Sequence, residues 1–477
     1  MSLAFQMRRL VRHSAIYGLG GILSRLLAVL LLPLYTSYLG TKGFGKIETV
    51  TALTTVLVIV LGAGISSAFF RFYFDSKDEA RRVLIVRTTF WFTMAMATVG
   101  LVLGLALATP IAHLLRLGDD PWLVRAAAVG LWAQMNYQQL TNLFRVEERS
   151  VQFVSASVAN ILITVGATVL LVVGLHKGPT GAVVGNFIGT LAVYLVLLAY
   201  RRYQLGLQLD RDLLRQMNRF GLPLVPSALA LWAINFIDRL FVAVYKGQSE
   251  VGVYSLAVRA SSVIVFLMIA FRLAWPAFAY SIEDDTTAKR TYSFVLTYLL
   301  FLCCWVSLAL GTLAPWIVRV LAPSSPAFYR ADKAVGLLAF ASTAYAGYTV
   351  LAIGIGRARR TQFNWIVSGA AAALNVALNF VLIPRYGMMG AAISTAAAYV
   401  ALFVGMTLNS QQVYPVPYQW RRVLTLSSVS IALTVVGYEV RSLPLSLALC
   451  LAYPLLLLPL GFYLPAERAR LRRLLPT

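Results

Sequence analysis

Apolar residues run along this 477-residue chain in blocks long enough to cross a bilayer, parted by short polar connections. A helix needs about 20 mostly apolar residues to traverse the hydrocarbon core. Read in windows of that length, the sequence predicts about fourteen transmembrane helices: 15–37, 48–69, 88–109, 123–143, 152–174, 179–200, 222–244, 251–275, 292–314, 334–355, 363–384, 387–408, 423–440 and 443–463. The connections leave no room for a separate soluble domain. The expected fold is therefore an all-α polytopic membrane protein.

The pattern also repeats. After the first span comes Tyr38-Leu39-Gly40, then Gly45; after the seventh comes Tyr245-Lys246-Gly247, then Gly252. Both read Y-x-G-x4-G, 207 residues apart. Gly178-Pro179-Thr180-Gly181-Ala182 and Gly387-Met388-Met389-Gly390-Ala391 both read G-x-x-G-A, 209 residues apart. Two matches at nearly one offset, each in the same loop of a six-span unit, predict an internal duplication. An even number of spans per unit gives parallel repeats related by an axis along the membrane normal. The expected organisation is an N-terminal six-helix lobe (1–208) and a C-terminal one (209–410) around a central cavity. Two further helices and a basic tail (411–477) follow.

Composition agrees: 59% of residues are hydrophobic, mean hydropathy is +0.76 and only 12% are charged. Of the 41 Lys and Arg, 26 fall in connections on the N-terminal side, 11 on the opposite side and four within spans. The positive-inside rule then places both termini in the cytoplasm. The net charge of +23 would suggest nucleic acid in a soluble protein. In this chain it marks loops beside anionic lipid headgroups, and no nucleic-acid partner is expected. Arg8-Arg9 does not read as an export signal: the apolar segment after it is long enough to span and no small-residue cleavage site follows, so that segment is kept as the first span. Cys303, Cys304 and Cys450 fall in spans and imply neither a disulfide framework nor a metal set.

The four intramembrane arginines carry the chemistry. An ionisable side chain costs a few kcal/mol at mid-membrane, so it usually faces a wet cavity or a partner. Arg25, near the middle of span one, shares a helix face with Gly18 and Gly21. That setting favours cavity lining over a structural contact. In span seven Asn235, Asp238, Arg239 and Val242 lie along one side, with Arg259 at similar depth in span eight. A structural or gating ion pair is the favoured reading of Asp238, Arg239 and Arg259, ahead of substrate or ion binding. Arg272 lies near the inner end of span eight beside Pro276, which is expected to end or kink the helix; it either lines the cavity or snorkels to headgroups. Gln134, Gln138 and Thr141 form a polar stripe on span four, suited equally to interhelical hydrogen bonds or to sugar hydroxyls. Asn375 and Asn379 in span eleven read the same way.

Other signals fall away. Gly40-Thr41-Lys42-Gly43-Phe44-Gly45-Lys46 nearly matches a phosphate-binding loop, but Ile47 stands where a Ser or Thr must ligate magnesium. His13, His113 and His176 lack metal spacing. Glu283-Asp284-Asp285 is read as a solvated turn. The longest outer connection, roughly 315–333, is short and basic, with Arg319, Arg330 and Lys333. No catalytic constellation emerges, so an enzyme, such as a membrane glycosyltransferase or polymerase, is disfavoured. A drug or cation antiporter would favour carboxylates in the cavity, whereas arginines dominate the spans.

Leu32-Pro33-Leu34-Tyr35 with Tyr38-Leu39-Gly40 and Phe44-Gly45, then Phe70-Arg71-Phe72-Tyr73, resemble the opening of Wzx-type polysaccharide flippases. Asn235-Phe236-Ile237-Asp238-Arg239 followed by Val251-Gly252-Val253-Tyr254-Ser255 resembles their mid-chain signature. Leu378-Asn379-Phe380-Val381-Leu382-Ile383-Pro384 with Tyr386-Gly387 and Gly390-Ala391-Ala392 resembles their late one. These flippases belong to the multidrug/oligosaccharidyl-lipid/polysaccharide exporter superfamily. The resemblance implies movement of an undecaprenyl-diphosphate-linked oligosaccharide from the inner to the outer leaflet of the plasma membrane, without a cofactor. It implies as partners the lipid-linked glycan, membrane lipids, and polysaccharide polymerase or export machinery. Related lipid II flippases place arginines in their first and eighth spans, for which Ser24-Arg25 and Arg272 are the corresponding candidates. A diphosphate is an anion that arginine grips bidentately.

Overall fold

A computed structural model describes residues 31–118, 121–358 and 364–465. All regular elements among them are helical, as lipid demands, since each backbone N–H and C=O must be satisfied within its own segment. In chain order they are α1 (Leu32–Gly62), α2 (Ile65–Asp75), α3 (Glu79–Ala106), α4 (Ala108–Leu114), α5 (Pro121–Val146), α6 (Ser150–Val169) and α7 (Gly178–Arg201). A composite α8 (Arg211–Lys246) follows, then α9 (Gln248–Ser261), α10 (Val263–Ser281), α11 (Asp285–Thr312), α12 (Ala314–Leu321) and α13 (Asp332–Arg357). The series closes with α14 (Asn364–Tyr386), α15 (Met388–Val413), α16 (Trp420–Val440) and α17 (Leu443–Leu456).

Ten helical stretches among the described residues are long and apolar enough to cross a membrane, and α9 with the start of α10 makes an eleventh across a 44° bend. Three of the fourteen predicted spans fall outside that set. The first lies mostly outside the described residues. The fourth exists as the 26-residue α5, whose amide side chains lower its hydropathy. The last is cut to the 14-residue α17, because Pro454 in its final turn cannot donate a backbone hydrogen bond.

Two other expectations are corrected. The predicted span 48–69 breaks at Ala63 and Gly64, both with left-handed φ (47° and 71°). Gly64 allows this and lets its backbone touch Gly221: a Cβ there would sit 2.2 Å from the Gly221 carbonyl oxygen. Pro276 does not end its helix, which continues to Ser281. A bend falls earlier, at Ser261-Ser262, whose hydroxyls donate to the carbonyls of Val258 (2.9 Å) and Arg259 (2.6 Å). Such back-bonding by adjacent serines competes with the helical ladder and bends it.

The described chain packs as two compact units, one reaching Gly252 and one starting at Val253. In the first, Ile65, Phe69, Ile85, Phe90, Phe144 and Tyr194 form a core between α2, α3, α5 and α7. In the second, α13 packs closely on α11 and α15. Small residues permit the approach, since a Cβ on Gly347 would stand 2.5 Å from the Phe403 ring.

The glycine motifs have matching conformations. Gly40 (φ 61°, ψ −174°) and Gly247 (φ 86°, ψ 173°) break the chain alike. Gly178 and Gly387 share a φ near 57°. Gly45 and Gly252 meet back to back: a Cβ on Gly45 would lie 1.7 Å from the Gln248 carbonyl oxygen, and one on Gly252 2.0 Å from that of Thr41. Thr41 and Ser249 share a hydroxyl hydrogen bond of 2.6 Å, and buried Gln248 accepts from Thr49 (2.8 Å) while donating to the Leu115 carbonyl (2.6 Å). Because the obstacle is backbone, Gly45→Ala should destabilise the protein by more than the ~1–3 kcal/mol usual for overpacking. Thermal unfolding of the purified protein reads this directly; an unchanged midpoint would refute the contact.

Candidate functional site

Two of the intramembrane arginines lie in opposite environments. Arg239 sits in α8 two residues beyond a π turn, Ala233–Ile237, a local widening that is frequent at functional sites. It lies seven residues from the C-terminal end of the helix, roughly 10 Å along the axis. Its Nη1 donates to the Asn235 carbonyl within that turn (2.6 Å) and meets the Asp238 carboxylate at 3.5 Å. Its Nε reaches Glu48 Oε2 on α1 at 3.4 Å. All three ionic side chains are buried. The expected pairing of Asp238 near Arg239 is present, with Glu48 as an additional member. Arg259 is half-buried on α9 and belongs to the second unit.

Arg272 stands exposed on α10, nine residues from its C-terminal end, roughly 14 Å along the axis. Its Nη1 donates to the Tyr345 hydroxyl at 3.4 Å. Tyr345 stacks on Tyr348 (centroids 5.7 Å) and packs against Tyr399 (5.2 Å). Among the described residues no carboxylate pairs with Arg272. The result is an accessible guanidinium on a tyrosine-lined wall, able to accept an anion without first giving up a counter-ion.

The α5 amides separate. Asn136 is buried and donates to the Trp132 carbonyl, and Thr141 bonds its own helix. Gln138 is exposed and Gln134 half-buried, and with Asn142 and Arg145 they form one polar face toward the helix end. Asn375 and Asn379 are buried on α14, joined by a 3.1 Å hydrogen bond. Arg25 lies outside the described residues.

The acidic turn is more than solvated. Asp284 caps α11, and hydrogen bonds from Thr286 and Thr287 hold its carboxyl down to about 2, so it stays ionised and cannot serve as a general acid near neutral pH. Asp285 accepts from the Tyr414 hydroxyl and pairs with Lys289 (3.1 Å) and Arg357 (3.4 Å). It ties together the ends of α11, α13 and α15. Among the described residues no three His, Cys, Asp or Glu come together as a metal ligand set.

The sequence pattern described as "Polysaccharide biosynthesis protein" matches residues 10–282. The chain belongs to that family. A second pattern, MatE, matches residues 223–381. The fold of this family member is shared with a structure titled lipid II flippase MurJ, inward closed conformation (TM-score 0.72, 12% identity, 92% of this chain and 98% of that one). It is shared also with an inward-facing multidrug resistance MATE family transporter of the MOP superfamily (TM-score 0.63, 14% identity, 82% and 97%). Over 276 residues the chain is 22% identical to an uncharacterized membrane protein of Haemophilus influenzae, covering 56% of its own length and 63% of that protein's.

Two features of this family member escape a sequence reading built on arginines. Glu48 is an ionisable residue inside an apolar window, and that alone marks it for attention. Tyr345 and Tyr348 share a helix face at i, i+3, but tyrosines in apolar spans read as ordinary packing until Arg272 is seen against them.

Proposed function

We propose that this protein carries an undecaprenyl-diphosphate-linked oligosaccharide from the inner to the outer leaflet of the plasma membrane, by alternating access and without covalent chemistry. The observation that carries the reading is Arg272, an exposed guanidinium inside an apolar helix, held by Tyr345 and paired with no carboxylate among the described residues. It suits the diphosphate, and Arg25 is its proposed companion. Gln134 and Gln138 offer amides to glycan hydroxyls. Asp238, Arg239 and Arg259, with Glu48, serve as the gate or coupling group. Both termini are cytoplasmic in this scheme, and a polysaccharide polymerase or export assembly receives the product.

The MatE match over residues 223–381 favours a second reading, a drug or cation antiporter, for which Glu48 and Asp238 would be the ion-binding carboxylates. Depletion in the native host separates the two. Accumulation of lipid-linked oligosaccharide in the inner leaflet is expected. Unchanged lipid-linked glycans with new sensitivity to cationic drugs would replace the flippase reading by the antiporter.

A further inference from the structure

Four of the eleven outer-side cations converge on one place. At the end of the second unit formed by α12, the turn Pro326–Ala331, and the tips of α13 and α16, a cavity of about 260 Å³ is lined by Arg319, Arg330, Lys333 and Arg441. One carboxylate is present, the buried Asp332, 3.7 Å from Arg441 Nη1. Like charges so gathered repel one another, and an anion among them relieves that repulsion. Positive charge is otherwise sparse on this side of the chain, so its concentration here asks for a cause.

Arg441 adds an independent sign. It ends α16 with a left-handed backbone (φ 51°, ψ 37°), where glycine sits without strain and an arginine does not. The Arg441 guanidinium is aimed by Tyr438, whose hydroxyl accepts from Nη2 at 3.1 Å and whose ring lies 5.0 Å beneath. Arg319 lies over the Tyr329 ring at 5.7 Å. Trp316 completes the wall with a flat apolar face beside the cations.

We infer that this pocket binds a single sugar ring bearing a phosphate or carboxylate, the oxyanion held by Arg441, Arg319 and Lys333 and the ring set against Trp316. The cavity is below the ~300–1,000 Å³ of drug-sized sites, so it takes one monosaccharide unit rather than an oligosaccharide. The inference rests on the flippase reading for its ligand, the exported glycan at the outer face, but its test needs no transport.

The full-length protein in phosphatidylcholine nanodiscs is titrated calorimetrically with glucose 1-phosphate, glucuronate, glucose and inorganic phosphate. Glucose 1-phosphate and glucuronate should bind, with glucose weaker by about tenfold or more because it lacks the oxyanion. Arg319 and Lys333 are exposed, so R319A/K333A should keep the wild-type unfolding midpoint while weakening glucose 1-phosphate about tenfold. W316A should weaken glucose 1-phosphate and leave inorganic phosphate unaffected. Equal binding by R319A/K333A overturns the site. Phosphate binding as tightly as glucose 1-phosphate, indifferent to W316A, reduces it to a bare ion patch. Loss of sugar phosphate binding when phosphatidylglycerol is added assigns the pocket to lipid headgroups instead. Sugar phosphate binding alongside unchanged lipid-linked glycans on depletion would refute the flippase reading and leave the site standing.

Discussion

Replacing Arg272 by alanine is expected to leave the protein folded and to cut translocation of a diphosphate-linked glycan by roughly 10- to 150-fold, the equivalent of about 1.5–3 kcal/mol for a hydrogen bond to a charged group. The side chain is exposed and its one hydrogen bond among the described residues, to Tyr345, is long at 3.4 Å. Little stability is therefore at stake. Arg272→Lys keeps the charge but loses the planar fork, so it should fall between the two. Tyr345→Phe removes the hydroxyl that orients the guanidinium and should cost less than the arginine itself. The check is a leaflet assay in proteoliposomes, with the thermal midpoint measured on the same preparation. A variant that unfolds in parallel with its loss of transport would make Arg272 structural and remove the main support for the proposed function.

Arg239 should behave in the reverse order. Arg239→Ala takes the guanidinium away from two buried carboxylates, Glu48 and Asp238, and breaking a buried pair from one side costs about 3–5 kcal/mol. The protein is expected to lose that much stability, seen as a fall in unfolding midpoint and in the amount inserted. Glu48→Gln removes one of the two buried charges, so added to Arg239→Ala it should recover part of the loss. The combination Glu48→Leu, Asp238→Leu, Arg239→Met replaces the whole charged set by apolar groups, and such replacements are often near neutral or stabilising. If that triple variant is stable and fails to transport, the cluster is a gate or coupling device. Full activity would make it packing alone.

These two arginines show how far a sequence can be read. Both stand in apolar windows, and hydropathy locates them equally well. What divides them is the company supplied by distant segments: Glu48, on α1, meets Arg239, whereas Tyr345 and Tyr399, on α13 and α15, stand at Arg272. Span placement was legible because lipid imposes one solution on the backbone. Breaks were less so. Pro276 is the conspicuous helix breaker, yet the bend lies at Ser261-Ser262, because serine hydroxyls act on carbonyls that only a formed helix brings near. α5 is helical for its full length although its amides hide it from a hydropathy window. The paired glycine motifs could be matched in the sequence, but their direct contact at Gly45 and Gly252 could not.

The Glu48–Arg239 contact also sets a schedule for biosynthesis. Glu48 leaves the ribosome roughly 190 residues ahead of Arg239, which at ~5–20 residues per second is a delay of about 10–40 s. Throughout that interval the helix carrying Glu48 cannot be closed by its eventual partner. Glu48 must then be inserted, or held at the interface, before this contact can form. Completion of α8 is thus the moment at which the first unit can lock. Nascent chains cut short before Arg239 lack this contact altogether.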